Sequence, residues 1–211
     1  MSNTELRIIG FTGAKGTGKS SVAMNLALAW AGTQSRRVLI ISFPSPRRKT
    51  KSKRAVDASV LLKLPPFDLG RRASVSPFGV GTARVSAKTP APAVFGELER
   101  LGRSYDLFLD VDPDSPLRET ALAACRRIFW LTSPRKSPDG VLPERCELVV
   151  NRSRAGTTGP DAPVHLPYDP AVPLYDGAGR LLIVDRIQSP WIGALRPLLG
   201  RVMDLMGAAN S

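Results

Sequence analysis

Histidine and cysteine are scarce in this chain. With one histidine, His165, and two cysteines, Cys125 and Cys146, that show no C-x-x-C spacing, there are too few suitably spaced ligands for a zinc site of the usual kind. A reducing compartment gives the two cysteines no use as a disulfide, and both read as small core or helix residues. No run of eighteen apolar residues is present, so no segment reads as a membrane-spanning helix, and the start shows no basic-then-apolar signal segment. The expectation is a cytoplasmic protein. No internal repeat is visible, which argues against a solenoid or propeller. Acidic residues are in deficit: 18 Asp and Glu against 30 Lys and Arg leave a formal charge of +12. That balance favours polyanionic neighbours such as DNA or an anionic lipid surface, or serves solubility alone. A length of 211 residues suits one α/β domain with a substantial core and is short for two, so a single domain over 1–211 is expected.

What is present is concentrated near the start. Ile8, Ile9 and Phe11 form an apolar run that passes into a glycine-rich turn, and Gly13 to Ser20 fits G-x-x-x-x-G-K-[ST] at every fixed position. The glycines Gly13, Gly16 and Gly18 let backbone N–H groups turn inward around a phosphate, with Ala14, Lys15 and Thr17 completing the loop. Lys19 is placed to reach the β and γ phosphates of a nucleotide, Ser20 to ligate Mg²⁺ through its hydroxyl, and Ser21 to follow in the first helical turn. Val22, Leu26 and Trp30 then recur at helical spacing up to Gly32, a stop signal.

The remainder alternates strand and helix patterns, which predicts a mostly parallel, doubly wound three-layer sheet with helices on both faces. Val38 to Ile41 is a continuous apolar run of the kind a strand buried on both faces shows. Residues 44–92 hold seven prolines (44, 46, 65, 66, 77, 90 and 92), and the stretch 36–54 carries eight basic side chains and no acidic one. A like-charge block of that density is an interaction surface or a solvated loop. Within it, Ala55 to Leu64 has the spacing of a short amphipathic helix. Helices are expected at Val94 to Arg103, around Leu117 to Cys125, and as one last helix from Pro190 to Met206 covering the sheet. Leu107-Phe108-Leu109-Asp110 has the form of a strand ending in an acid that holds the water shell of Mg²⁺ near Ser20; Asp112 is the alternative. Ile128 to Leu131 and Leu148 to Val150 supply further strands, and His165 reads as a strand residue rather than a catalyst.

The loop with a second lysine, Lys15-Gly16-Thr17-Gly18-Lys19-Ser20, resembles the deviant Walker A signature of MinD-, ParA- and CpaE/TadZ-like ATPases. The resemblance covers roughly 6–43 and 94–206. It implies ATP and Mg²⁺ as cofactors, with Lys15, Lys19 and Asp110 as the catalytic set and Ser20 and Asp110 serving the metal. It implies a homodimer on ATP binding, Lys15 reaching the nucleotide of the other subunit; otherwise Lys15 is a solvent-facing lysine of an ordinary phosphate loop. It also implies that Asn151, followed by Arg152, lies against adenine, and that the backbone of Pro167, Tyr168 and Asp169 lines the base pocket. The sequence departs from the family at the second strand: Ser42 stands where an aspartate organises Mg²⁺ and the attacking water, which preserves binding but weakens hydrolysis.

Three functions are consistent with these residues. One is an ATP-dependent dimerising switch that positions a pilus, a division site or a DNA cargo, on the nucleoid or the inner membrane, through a protein partner and through DNA or anionic membrane at 36–54. The second is a non-hydrolysing scaffold that keeps the pocket and docks partners. The third is a small-molecule kinase or ligase of the same superfamily, such as dethiobiotin synthetase, for which no substrate pocket is identified. An iron–sulfur relative such as the nitrogenase iron protein is excluded, because neither cysteine follows a strand in a glycine-flanked turn.

Overall fold

The computed structural model describes residues 6–33, 37–46, 56–57, 74–75, 80–134, 142–153, 164–177 and 182–207. Nine strands are described: β1 (Ile8–Gly13), β2 (Val38–Phe43), β3 (Val56–Asp57), β4 (Ser74–Val75), β5 (Val80–Arg84), β6 (Asp106–Val111), β7 (Arg127–Thr132), β8 (Cys146–Ser153) and β9 (Val164–Pro167). They form one sheet in the order β3-β5-β2-β6-β1-β7-β8-β9. Every pair along that path is parallel, and β4 alone runs antiparallel, on β5. The sheet is therefore mostly parallel, as the alternating pattern predicts. The helices are α1 (Lys19–Ala31), α2 (Ala91–Gly102), α3 (Arg118–Ala123), α4 (Ala171–Gly177), α5 (Leu182–Asp185), α6 (Pro190–Gly193) and α7 (Arg196–Gly207).

Because side chains alternate across a strand, the continuous apolar runs of the central strands feed two separate cores. Val38 and Ile40 of β2 and Phe108 of β6 join Ile9 and Phe11 under α1 and α7, where Leu26, Trp30, Leu198 and Val202 are buried. Leu39, Ile41 and Phe43, with Leu107 and Leu109, point the other way and pack with Val94, Leu98 and Leu101 of α2 and Ala121 of α3. On the α1 side Phe11 lies between Phe108 and Phe129, at ring-centroid distances of 5.9 and 5.4 Å. Helices thus cover both faces. At the lower end of the sheet Trp30 Nε1 donates to Asp106 Oδ2 at 2.7 Å, and Arg7 faces the same carboxylate at 3.6 Å. Asp106 is fully buried, and this pairing anchors the end of α1 to the start of β6.

Three expectations are corrected. The last helix is two helices, α6 and α7, separated at Ala194–Leu195. Pro197 has no N–H for residue 193 and its ring would crowd that carbonyl, so it sits in the first turn of a new helix. The helix expected from Ala55 begins instead in strand β3, whose Val56 and Asp57 pair with Ala83 and Arg84; the rest of 55–64 lies outside the described residues. Within 44–92, Val80–Arg84 is a sheet strand that apolar periodicity does not reveal, because Gly81, Thr82 and Ala83 are small and only Val80 is a large apolar residue.

Candidate functional site

The loop after β1 emerges between β6 and β7, the two strands that flank β1, at the carboxyl ends where open α/β sheets bind ligands. Gly13 has φ 125°, and a Cβ there would stand 1.9 Å from the Leu131 carbonyl oxygen, so only glycine lets the loop leave the sheet this close to β7. Gly16 and Gly18 also take positive φ, 73° and 81°. Thr17 Oγ1 donates to the Ala14 carbonyl at 2.7 Å and Lys19 Nζ donates to the same oxygen at 3.3 Å, folding the lysine back over its own loop. The start of α1 has no side-chain cap and no acid in its first turn, which leaves its donors and the positive end of its dipole for an anion.

Ser20 Oγ donates to Asp110 Oδ2 at 2.7 Å, joining the loop to the end of β6 across ninety residues of chain. Asp112 does something else. Its Oδ1 accepts from the Asp114 backbone N–H at 3.0 Å and shapes the turn after β6. The β2–β6 register sets Ser42 directly beside Asp110. Lys15 forms an ion pair with Asp114, the two side chains 63% and 51% exposed.

On the other side of the loop a cleft open to solvent is lined by Gly18, Ser21, Asn151, Arg152, Pro167, Tyr168, Asp169, Asp176 and Trp191 among others. Asn151, 3% exposed, is its hub. Its Nδ2 donates to the Thr17 carbonyl at 2.8 Å, and its Oδ1 accepts from Trp191 Nε1 at 3.1 Å and from the Arg152 N–H at 2.9 Å. Those bonds hold a register shift in β8 at which Arg152 takes φ 63°, a left-handed conformation that costs a side-chain-bearing residue about 1–2 kcal/mol. The amide expected against adenine is thus also the tie between the phosphate loop and α6. Asp169 accepts from the Ala171 N–H at 2.8 Å and from Ser189 Oγ at 2.5 Å, and Ser189 in turn caps α6 through the Trp191 N–H at 3.1 Å. His165 lies in β9, as its reading as a strand residue requires.

Trp191 and Asp176 are among the residues of the cleft that the sequence did not single out. Trp191 fell only within the expected last helix. Asp176, in α4, accepts a hydrogen bond from the Ser21 hydroxyl. Partial withdrawal from water raises its carboxyl above the ordinary range, and the Ser21 bond works in the opposite direction. No short-range signal marks either one, since both reach the cleft only when the segments after β9 fold against α1.

No protein-family profile matches the chain, and no curated protein matches it in sequence. Solved structures do match. A ParA family ATPase from Chlorobium tepidum TLS superposes with a TM-score of 0.74 at 16% identity, over 92% of this chain and 99% of that one. The MinD cell division protein of Aquifex aeolicus gives 0.69 at 16% identity over 95% and 97%. The MinC:MinD cell division protein complex from the same organism gives 0.68 at 15% identity over 92% and 96%.

The chain has the fold of the ParA and MinD ATPases.

In that fold the loop residues Gly13 to Ser21 and Asp110 come together at one point, and Asn151, Arg152, Pro167, Tyr168 and Asp169 gather on the neighbouring cleft. Ser20 and Asp110 present two hard oxygen donors within a hydrogen bond of each other, a set that suits Mg²⁺, an ion that keeps most of its waters. Among the described residues no group of three or more His, Cys, Asp and Glu could hold a metal ion. None of the described helices is long and apolar enough to cross a membrane. Of the basic stretch 36–54, residues 36 and 47–54 lie outside the described residues.

Proposed function

We propose that the chain is an ATP-binding switch of the MinD/ParA type that dimerises on ATP, hydrolyses it slowly and positions cellular machinery. The observation that carries this reading is the Ser20–Asp110 hydrogen bond, which joins the last residue of the phosphate-loop pattern to the acid of β6 on the ParA and MinD fold. Lys19 supplies charge to the terminal phosphates, and the uncapped amides of α1 supply donors to them. Ser20 and Asp110 hold Mg²⁺ and its water shell; the ion, when bound, neutralises charge on the β and γ phosphates. Asn151 and the Pro167–Asp169 segment form the base side. Lys15 extends to the nucleotide of a second copy, and the dimer so formed binds a protein partner or cargo, with the 36–54 stretch adding affinity for DNA or an anionic membrane.

A second reading rests on Ser42. Its place beside Asp110 brings no negative charge to the site, which favours a scaffold that binds nucleotide and does not turn it over. Sizing the protein with and without ATP while following phosphate release separates the two. A dimer with turnover supports the switch and a dimer without turnover the scaffold. A monomer that does neither refutes both and favours a small-molecule kinase or ligase of the same superfamily.

A further inference from the structure

We infer that Asp176 reads the sugar of the nucleotide: its carboxylate accepts from the ribose hydroxyls, so the chain prefers a ribonucleotide over its 2′-deoxy counterpart. This rests on the nucleotide reading above and goes beyond it by naming what the cleft selects.

The argument begins with position. Asp176 lines the cleft beside Gly18, Ser21 and Asn151, and it is hydrogen-bonded to Ser21, one residue beyond the Lys19–Ser20 pair. A ligand whose phosphates occupy the loop has its next chemical group at this point.

Next comes the inventory of polar groups on the cleft wall. Asn151 uses its amide on Thr17, Trp191 and Arg152, and Asp169 uses both carboxylate oxygens on Ala171 and Ser189. These bonds tie the cleft wall together and leave Asn151 a single amide N–H for the base. Asp176 differs. Its carboxylate has capacity for about four hydrogen bonds, its partner among the described hydrogen bonds is one hydroxyl, and the residue lies exposed on α4 where its side chain can turn without disturbing a core.

Charge then decides which part of the ligand it meets. A carboxylate repels phosphate, so the triphosphate lies toward Lys15 and Lys19 and Asp176 faces a neutral donor. A ribose offers two adjacent O–H groups to one carboxylate, the same pairing by which an acidic residue holds the ribose of a dinucleotide.

The test is calorimetric titration of the full chain with ATP, 2′-deoxy-ATP and inosine triphosphate, each with magnesium, for the unmodified protein, Asp176→Ala and Asp176→Asn. Thermal melts check that both variants fold, and the isosteric Asn variant guards against a packing effect. The unmodified protein is expected to bind ATP roughly 10- to 100-fold more tightly than 2′-deoxy-ATP, the range for losing a hydrogen bond to a charged group. Asp176→Ala is expected to bring that ratio close to one, with Asp176→Asn between. Equal affinity of the unmodified protein for the two nucleotides overturns the assignment, as does a preference that survives in Asp176→Ala. A preference expressed against inosine triphosphate but not against 2′-deoxy-ATP also overturns it, because the carboxylate would then be reading the base. If the unmodified protein binds none of the three, the nucleotide reading itself fails and the assignment falls with it; if ATP binds without sugar discrimination, only the assignment falls.

Discussion

Replacing Asn151 tests whether the phosphate loop is held in place from the cleft side. Asn151→Ala deletes the bonds to Thr17, Trp191 and Arg152 together. Each neutral hydrogen bond contributes about 0.5–1.5 kcal/mol, and an indole N–H left buried without an acceptor costs about 1–3 kcal/mol; Trp191 is that indole, 1% exposed. A destabilisation of about 3 kcal/mol follows, or roughly 6–12 °C in Tm for a chain of this size. Asn151→Asp separates the arms. It keeps an oxygen for Trp191 and Arg152 but turns a donor into an acceptor toward the Thr17 carbonyl, so it should lose nucleotide affinity more steeply than its loss of stability explains. Denaturant unfolding followed by Trp fluorescence reads the first quantity and nucleotide titration the second. Destabilisation below about 0.5 kcal/mol in Asn151→Ala, within the usual range for a surface substitution, would refute the view of Asn151 as a hub. Parallel losses of stability and affinity in Asn151→Asp would refute the view that its Thr17 arm positions the loop.

Lys19→Ala is expected to abolish ATP binding by calorimetry, because its charge is placed for the β and γ phosphates; unchanged affinity would refute the phosphate-loop reading. Lys15→Ala should still bind ATP as a monomer while losing the ATP-dependent dimer in sizing experiments; a variant that still dimerises makes Lys15 an ordinary loop residue. Ser42→Asp should raise phosphate release, because the register places the new carboxylate beside Asp110, and no gain would mean that a partner completes the site. Exchanging Arg47, Arg48, Lys49, Lys51, Lys53 and Arg54 for Ser or Gln should abolish binding to DNA or to anionic vesicles while leaving ATP binding intact. If DNA is the ligand, log K should fall with log salt by about 0.9 per phosphate contact.

The part of the site that was legible in the sequence is the part written in contiguous residues. A phosphate loop needs its glycines, lysine and serine within one turn of chain, so Gly13 to Ser20 announces itself, and β1, β2 and β6 are legible because a strand buried on both faces must be apolar throughout. Asp110 stands one residue before the end of the apolar strand β6 and meets Ser20, whereas Asp112 Oδ1 accepts from the Asp114 N–H of the turn that follows. The cleft side is written across the chain instead. Asp176 is one acid in a seven-residue helix, and its meeting with Ser21 depends on how α4 packs against α1. The tie between Asn151 and Trp191 joins residues forty positions apart, so no local pattern contains it. Strand β5 escaped notice for a different reason: small residues on a strand near the sheet edge satisfy the backbone ladder without leaving an apolar signature.

Helix α1 is fastened to one strand at two points of opposite character. Ser20 holds Asp110 at an end open to solvent, and Trp30 holds Asp106 at an end that is fully dry. Mechanically this makes the helix a lever with a fixed fulcrum. A group that competes for Asp110 would slacken the wet fastening and leave the dry one untouched, so the expected response of α1 is a tilt about Trp30 rather than a slide along the sheet. Motion is then expected to be largest at the loop and to fade toward Trp30. Hydrogen exchange would show it as nucleotide-dependent protection confined to the amides near Lys19 to Ala23, with those near Trp30 equally protected in either state; uniform change along α1 would mean that the whole helix shifts.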